Sequence, residues 1–96
     1  MIRVILWDVD GTLLSHSQKC VPESSKCALD ALAKKGIKRV LATGRHTLEL
    51  DQLPLEGLDF DGYILLNGHL CLDERKDLIC GIPIEGADKQ ILLKIF

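Results

Sequence analysis

Two aspartates, Asp8 and Asp10, stand two residues apart in VILWDVDGTLLS, the stretch Val4 to Ser15, directly after four apolar residues. Like charges at the mouth of a core repel each other and are costly unless a cation or phosphate chemistry uses them. Magnesium is the natural neutraliser, because it prefers carboxylates, water and phosphate oxygens. One carboxylate can attack a phosphorus atom as a nucleophile. The other can protonate the leaving oxygen and then take a proton from the incoming water. Farther along, Thr43-Gly44-Arg45 offers a hydroxyl and the backbone N–H groups of a helix start to hold phosphoryl oxygens. The bland alternative is an acidic turn, since Asp-Gly alone is a turn signal. Asp8 argues against it, because it lies at the strand end and not in the turn. Other ligand chemistries fail on spacing. A calcium loop needs D-x-[DN]-x-[DN]-G, and Gly11 comes one residue after Asp10. Neither G-x-G-x-x-G nor G-x-x-x-x-G-K-[ST] occurs.

These residues need elements to hold them. Val4 to Trp7 is continuously apolar, which predicts a strand covered on both faces, as in parallel sheets. Pro22 to Lys35 turns helical, with Leu29, Leu32 and Ala33 on one stripe and Cys27-Ala28 a turn earlier. Pro22 suits the first turn, leaving Val21 as a poor cap, and Gly36 suits the stop. Ile37 to Ala42 predicts a second buried strand. A short helix from His46 to Leu53 ends at Pro54, and a loop runs from Leu55 to Gly62. Tyr63 to Leu66 predicts a third strand. Leu70 to Leu72 and Leu78 to Cys80 flank a charged turn, Asp73 to Asp77, and predict a hairpin. Glu85 to Phe96 reads as a helix. This order is α/β, with parallel strands and right-handed crossovers. In such sheets the site lies beyond the carboxyl ends of the strands. Asp8-Val9-Asp10-Gly11-Thr12, Thr43-Gly44-Arg45 and Asn67-Gly68 are therefore expected to converge on one crevice.

Composition narrows the classes. The 96 residues are 47% hydrophobic and 27% charged, with a net charge of −2 and scattered basic residues. That implies a small globular domain, or part of a larger one, without a nucleic-acid or membrane surface. Apolar runs reach only four to five residues, and Arg3 and Asp8 break any signal-peptide pattern, so a cytoplasmic address is expected. Cys20, Cys27, Cys71 and Cys80 lack C-x-x-C spacing and read as reduced thiols in or near the core. Cys71 and Cys80 are placed to face each other across the hairpin. His16, His46 and His69 lack ligand spacing and read as solvated loop residues.

Asp8 to Leu14 (D-x-D-G-T-L-L), Leu41 to Arg45 (L-A-T-G-R) and Leu66 to Gly68 (L-N-G), in this order, resemble the haloacid dehalogenase (HAD) superfamily of phosphatases. The likeness is greatest to its Cof-like branch of sugar-phosphate phosphatases. The resemblance implies a Rossmann-like parallel sheet with flanking helices, incomplete in this chain, plus the hairpin. Residues 1–84 would be the N-terminal part of the hydrolase core, and 85–96 a helix leading toward a cap domain. Asp8 would be the nucleophile that becomes an aspartyl-phosphate, and a Mg²⁺ ligand. Asp10 would be the general acid/base, with its backbone carbonyl on the metal. Val9 and Asp10 would offer backbone N–H groups to the phosphoryl oxygens. Thr43, with Gly44 and Arg45 beside it, would hold the phosphate, and Asn67 would line the substrate side.

The substrate class so implied is a small phosphorylated metabolite such as a sugar phosphate. The family also uses a later lysine and later aspartates, and Lys89, Lys94 and Asp88 do not match them. An incomplete, inactive chain is therefore expected, with Val4 to Trp7 left as an open edge able to self-associate. The alternatives are a non-catalytic domain that binds phosphate, metal or a partner, and a related phosphotransferase such as a phosphomutase.

Overall fold

The computed structural model describes residues 1–15, 20–55, 57–83 and 85–95. Five strands form one sheet in the order β1-β2-β3-β4-β5: Val4–Trp7, Lys38–Ala42, Gly62–Leu65, Leu70–Asp73 and Leu78–Gly81. β1, β2 and β3 are parallel, and β4 and β5 add antiparallel. The α/β, Rossmann-like expectation holds, with the refinement that the hairpin continues the same sheet and makes it mixed. Three α-helices accompany the strands among the described residues: α1 (Glu23–Lys34), α2 (Thr47–Leu50) and α3 (Gly86–Ile95).

α1 begins one residue later than the sequence suggests. Pro22 is the N-cap, with an extended ψ of 148°, and its carbonyl accepts from Ser25 N at 3.0 Å and Lys26 N at 3.2 Å. Proline brings no side-chain acceptor, so the cap is backbone only. The end is well made. Gly36 at φ 73° donates to Ala33 O at 3.0 Å, and Ile37 N donates to Leu32 O at 3.0 Å. This is the paired C-terminal bonding that a left-handed glycine permits. The buried stripe is narrower than expected: Leu29 is buried and Leu32 half-buried, but Cys27, Ala28 and Ala33 are exposed. The cysteine expectation is corrected too. All four thiols are free, yet Cys20, Cys27 and Cys80 are exposed and only Cys71 is half-buried.

The core lies on one side of the sheet. Leu41 and Leu65, both fully buried, and Tyr63 and Leu72 pack with Leu29 of α1, Leu50 of α2 and Phe60. The other side is open. Val4 is 50% exposed and Leu6 60% exposed, so β1 is not covered on both faces as its apolar run suggests. Strand residues alternate between faces. Ile5 and Trp7 share the core side with Leu41 by register, and Val4 and Leu6 share the bare side with Val40, Ala42 and Ile64. β1 is also a terminal strand of the sheet, as the resemblance implies. α3 forms where the apolar spacing places it, but none of its described residues is buried.

Candidate active site

The three parallel strands deliver their carboxyl ends to one edge. Asp8 is the first residue beyond β1, and the chain then folds back tightly. Val9 O accepts from Thr12 N at 3.3 Å and Leu14 N at 2.9 Å, while Gly11 N donates to Leu14 O at 2.8 Å. Gly11 sits at φ 77°, a conformation that costs other residues about 1 kcal/mol or more. Val9, Leu13 and Leu14 are buried and anchor this loop in the core. With Val9 pointing inward, its neighbours Asp8 and Asp10 are both exposed. Alternation around one buried valine therefore explains how two carboxylates come to stand at the mouth of the core.

The second strand end is tied to the third. Thr43, one of the few buried polar residues, donates its N–H to Ile64 O at 2.9 Å. Its Oγ1 accepts the Arg45 N–H at 3.2 Å, which leaves the hydroxyl proton to be donated elsewhere. Leu66 N donates to Arg45 O at 3.3 Å and Asn67 N to Thr43 O at 3.2 Å. β3 stops one residue earlier than expected because Leu66, Asn67 and Gly68 all have positive φ, at 50°, 54° and 97°. Three consecutive left-handed residues turn the chain sharply and lay the Asn67 amide over Gly44. A Cβ on Gly44 would meet Asn67 Oδ1 at 3.0 Å, so the glycine makes that approach possible.

Arg45 turns toward the first loop. Its Nε donates to Asp10 Oδ2 at 2.8 Å and its Nη2 to Asp10 Oδ1 at 2.9 Å, a two-pronged pair. Its Nη1 reaches Glu49 Oε2 at 3.5 Å. The hydrogen bond to Asp10 and the charges of Asp10 and Glu49 raise the guanidinium pKa above its ordinary value, against a smaller lowering by desolvation. Glu49 has a second task, because its Oε1 accepts the His46 N–H at 3.3 Å while His46 Nδ1 accepts from Leu48 N at 3.3 Å. This reciprocal cap starts α2. His46 is thus a helix cap, and His69 Nδ1 lies 2.9 Å from Leu66 O. His16 lies outside the described residues.

A crevice of about 420 Å³ is lined by Asp8, Thr43, Gly44, Asn67 and Gly68, with Leu6, Ala42 and Ile64 from the bare side of the sheet. Its size suits a small metabolite. Of the residues singled out in the sequence, Asp8, Thr43, Gly44 and Asn67 meet there. Val9 is buried behind it, and its N–H donates to Asp8 Oδ1 at 2.7 Å. Asp10 and Arg45 form their pair beside the crevice and do not line it. Glu49 and the Leu66 turn escaped the sequence reading. The Asn-Gly pair was the available signal for the turn, and the i,i+4 spacing of Arg45 and Glu49 for the ion pair. For a divalent cation the site offers the Asp8 carboxylate and nearby backbone carbonyls. Among the described residues no group of three or more His, Cys, Asp or Glu side chains could hold a metal ion. That donor set is too small to fit Mg²⁺ alone, which keeps near-octahedral coordination. No helix among the described residues is long and apolar enough to cross a membrane.

Comparison with known proteins agrees with this geometry. The family model for haloacid dehalogenase-like hydrolases matches residues 5–96. An HMP-PP phosphatase from Yersinia pestis is 34% identical over 89 residues, 92% of this chain and 30% of that protein. A phosphatase of the haloalkanoate (HAD) enzyme superfamily from Bacteroides thetaiotaomicron superposes with a TM-score of 0.87 at 38% identity, covering 99% of this chain and 35% of that one. A HAD subclass IIB sugar phosphatase superposes with a TM-score of 0.71 at 35% identity, over 86% of this chain and 32% of that one. The chain thus spans about a third of the length of each of these three relatives.

Proposed function

The chain belongs to the haloacid dehalogenase-like hydrolases, in their Cof-like branch, and corresponds to their N-terminal part. From that membership we propose that it supplies the nucleophile half of a phosphomonoesterase site acting on small phosphorylated metabolites. The observation that carries this reading is the pair of outward carboxylates around buried Val9, with Asp8 lining the crevice beside the Thr43 hydroxyl.

Asp8, at the crevice, attacks phosphorus, and the bond to the ester oxygen breaks as the aspartyl-phosphate forms. Asp10, which Arg45 holds beside the crevice, turns to the leaving oxygen to give it a proton and then takes one from the water that hydrolyses the acyl-phosphate. The Thr43 hydroxyl proton and the Gly44 backbone hold the phosphoryl oxygens as charge develops. Asn67, folded over Gly44, bounds the substrate side. Magnesium is the expected cofactor of the whole site. Asp8 and the Asp10 carbonyl would hold part of its shell, and the remaining donors would come from elsewhere. A cytoplasmic location belongs to the same proposal. The relatives named as sugar and HMP-PP phosphatases support this substrate class, a small phosphorylated metabolite.

One observation favours a second reading for the 96 residues by themselves, a non-catalytic phosphate-binding domain. That observation is the small set of metal-ligating groups among the described residues.

The experiment is p-nitrophenyl phosphate turnover by a full-length protein carrying this sequence. Asp8→Asn is expected to abolish it, since an amide is a far poorer nucleophile. Asp10→Asn is expected to lower kcat by about 10²–10⁴-fold while sparing phosphate binding. Substantial turnover by Asp8→Asn sinks the assignment.

A further inference from the structure

The hairpin carries a feature that the phosphatase reading does not use. Cys71 on β4 and Cys80 on β5 are direct register partners, immediately before a shift in register at Leu72. Opposite residues of an antiparallel pair have Cα atoms about 4.5 or 5.5 Å apart, depending on the kind of pair. Both separations fall within the ~4.4–6.8 Å that a disulfide spans. Side chains of directly opposed residues leave the sheet on the same face, so the two sulfurs are brought together and not merely their backbones. By register Cys71 also lies opposite Ile64, on the side of the sheet left bare by the core. Cys80 is exposed and Cys71 half-buried, so a soluble reagent reaches Cys80 first.

We propose that Cys71 and Cys80 form a redox modification site, closing to a cross-strand disulfide on reaction with a low-molecular-weight disulfide. In the first step the Cys80 thiolate attacks one sulfur of glutathione disulfide, forming a mixed disulfide and releasing one glutathione thiolate. The Cys71 thiolate then attacks the Cys80 sulfur and releases the second. Two protein thiols lose two electrons and two protons, and one glutathione disulfide becomes two glutathiones. The order of attack follows from exposure and from proton affinity. Interaction with the Cys80 side chain, with burial adding to it, raises the Cys71 thiol above its ordinary pKa, so Cys71 is the poorer first nucleophile.

The bond would staple β5 to β4. β5 is exposed along its whole length, and it leads through Pro83 to α3. Few buried contacts hold such a strand, so it belongs to the low-stability end of the molecule, where a crosslink changes local opening most.

The test equilibrates the chain in glutathione buffers of graded poise, traps with acid and alkylation, and maps tryptic peptides. Trypsin cuts after Arg75 and Lys76, so the Cys71 and Cys80 peptides separate unless the bond joins them. The same titration in 8 M urea measures pairing due to sequence proximity alone. The expected result is a Cys71–Cys80 disulfide as the main product, favoured at least tenfold more in the native chain than in urea. The exposed thiols of Cys20 and Cys27 should carry only mixed disulfides. In Cys71→Ser, Cys80 should stop at the mixed disulfide. In the oxidised wild type, amide exchange at Cys80 and Ile82 should slow. Equal pairing in the native and urea-treated chain, dominant pairing with Cys20 or Cys27, or intermolecular dimers through Cys80 would each overturn the proposal.

Discussion

The two faces of the sheet come from the same five strands and end in opposite states. On one, Leu41 and Leu65 are wholly buried under α1 and α2, with Tyr63 and Leu72 beside them. On the other, Val4 and Leu6 are at least half exposed, although they are no less apolar. The crevice sits on the boundary. Asp8, Thr43 and Asn67 rim it, while Leu6, Ala42 and Ile64 of the bare face form its floor. The difference shows that the residues which orient the site are held by a finished core, and that the wall which would close the site is not among those described. Positioning of the Asp8 carboxylate and enclosure of the crevice are separate structural tasks, and the described residues accomplish the first.

The sharpest way to break this comparison is to truncate one leucine on each face. Leu41→Ala opens a cavity in the finished core and is expected to cost about 2–5 kcal/mol, enough to unfold a small domain. Leu6→Ala is expected to stay within about 0.5 kcal/mol, because a side chain already in water loses little. Urea unfolding followed by circular dichroism measures both. Comparable losses would mean that the bare face is covered in solution.

Coverage by a second copy is the next test. β1 presents an unpaired strand edge beside an apolar face, the arrangement that templates strand pairing. Light scattering on the 96-residue chain is expected to give a mass above the 10.7 kDa of the monomer. Leu6→Lys should return it to the monomer, since a charge on the shared face must be desolvated on pairing. A wild-type chain that stays monomeric at high concentration would rule out self-association through β1.

Asn67 gives a smaller and more local effect. At φ 54° its backbone is left-handed, a state that asparagine tolerates and β-branched residues resist. Asn67→Val should cost about 1–2 kcal/mol through backbone strain, and Asn67→Gly should cost nothing or stabilise slightly. Both remove the amide over Gly44. If substrate contact comes from that amide, the two variants share a raised KM in the full-length enzyme while differing in stability. Equal stability of the pair would show that the turn is not strained.

How much of this was legible follows the range of the interactions involved. α1, its glycine stop and the hairpin announce themselves through local spacing, because caps and turns are decided within a few residues. D-V-D-G-T marked the loop that carries Asp8 and Asp10 for the same reason. The bare face was not legible. A run such as Val4 to Trp7 looks alike whether both sides are packed or one awaits a partner, and only the register with β2 separates Val4 and Leu6 from Ile5 and Trp7. The turn of Arg45 onto Asp10 was equally hidden. It depends on two loops that lie far apart in sequence and meet only when β1 and β2 align.

That ion pair supplies the subtlest prediction. Arg45 was expected beside the phosphate, but in the structure its fork closes on both oxygens of Asp10, with Glu49 behind it. Both sides of the pair are partly exposed, so its worth to stability is small and screened by salt. Arg45→Lys keeps the charge but cannot keep two parallel hydrogen bonds, because an ammonium has no planar fork. Thermal unfolding should therefore barely move. Steady-state kinetics of the full-length protein then separate two roles. If Arg45 positions Asp10 for proton transfer, kcat falls, by less than in Asp10→Asn, and KM for the phosphomonoester holds. If Arg45 leaves Asp10 to clasp the substrate phosphate, KM rises and kcat holds. The geometry favours the first outcome, since the guanidinium already has two carboxylates to satisfy and does not line the crevice. A raised KM with unchanged kcat would show that the pair opens when substrate arrives.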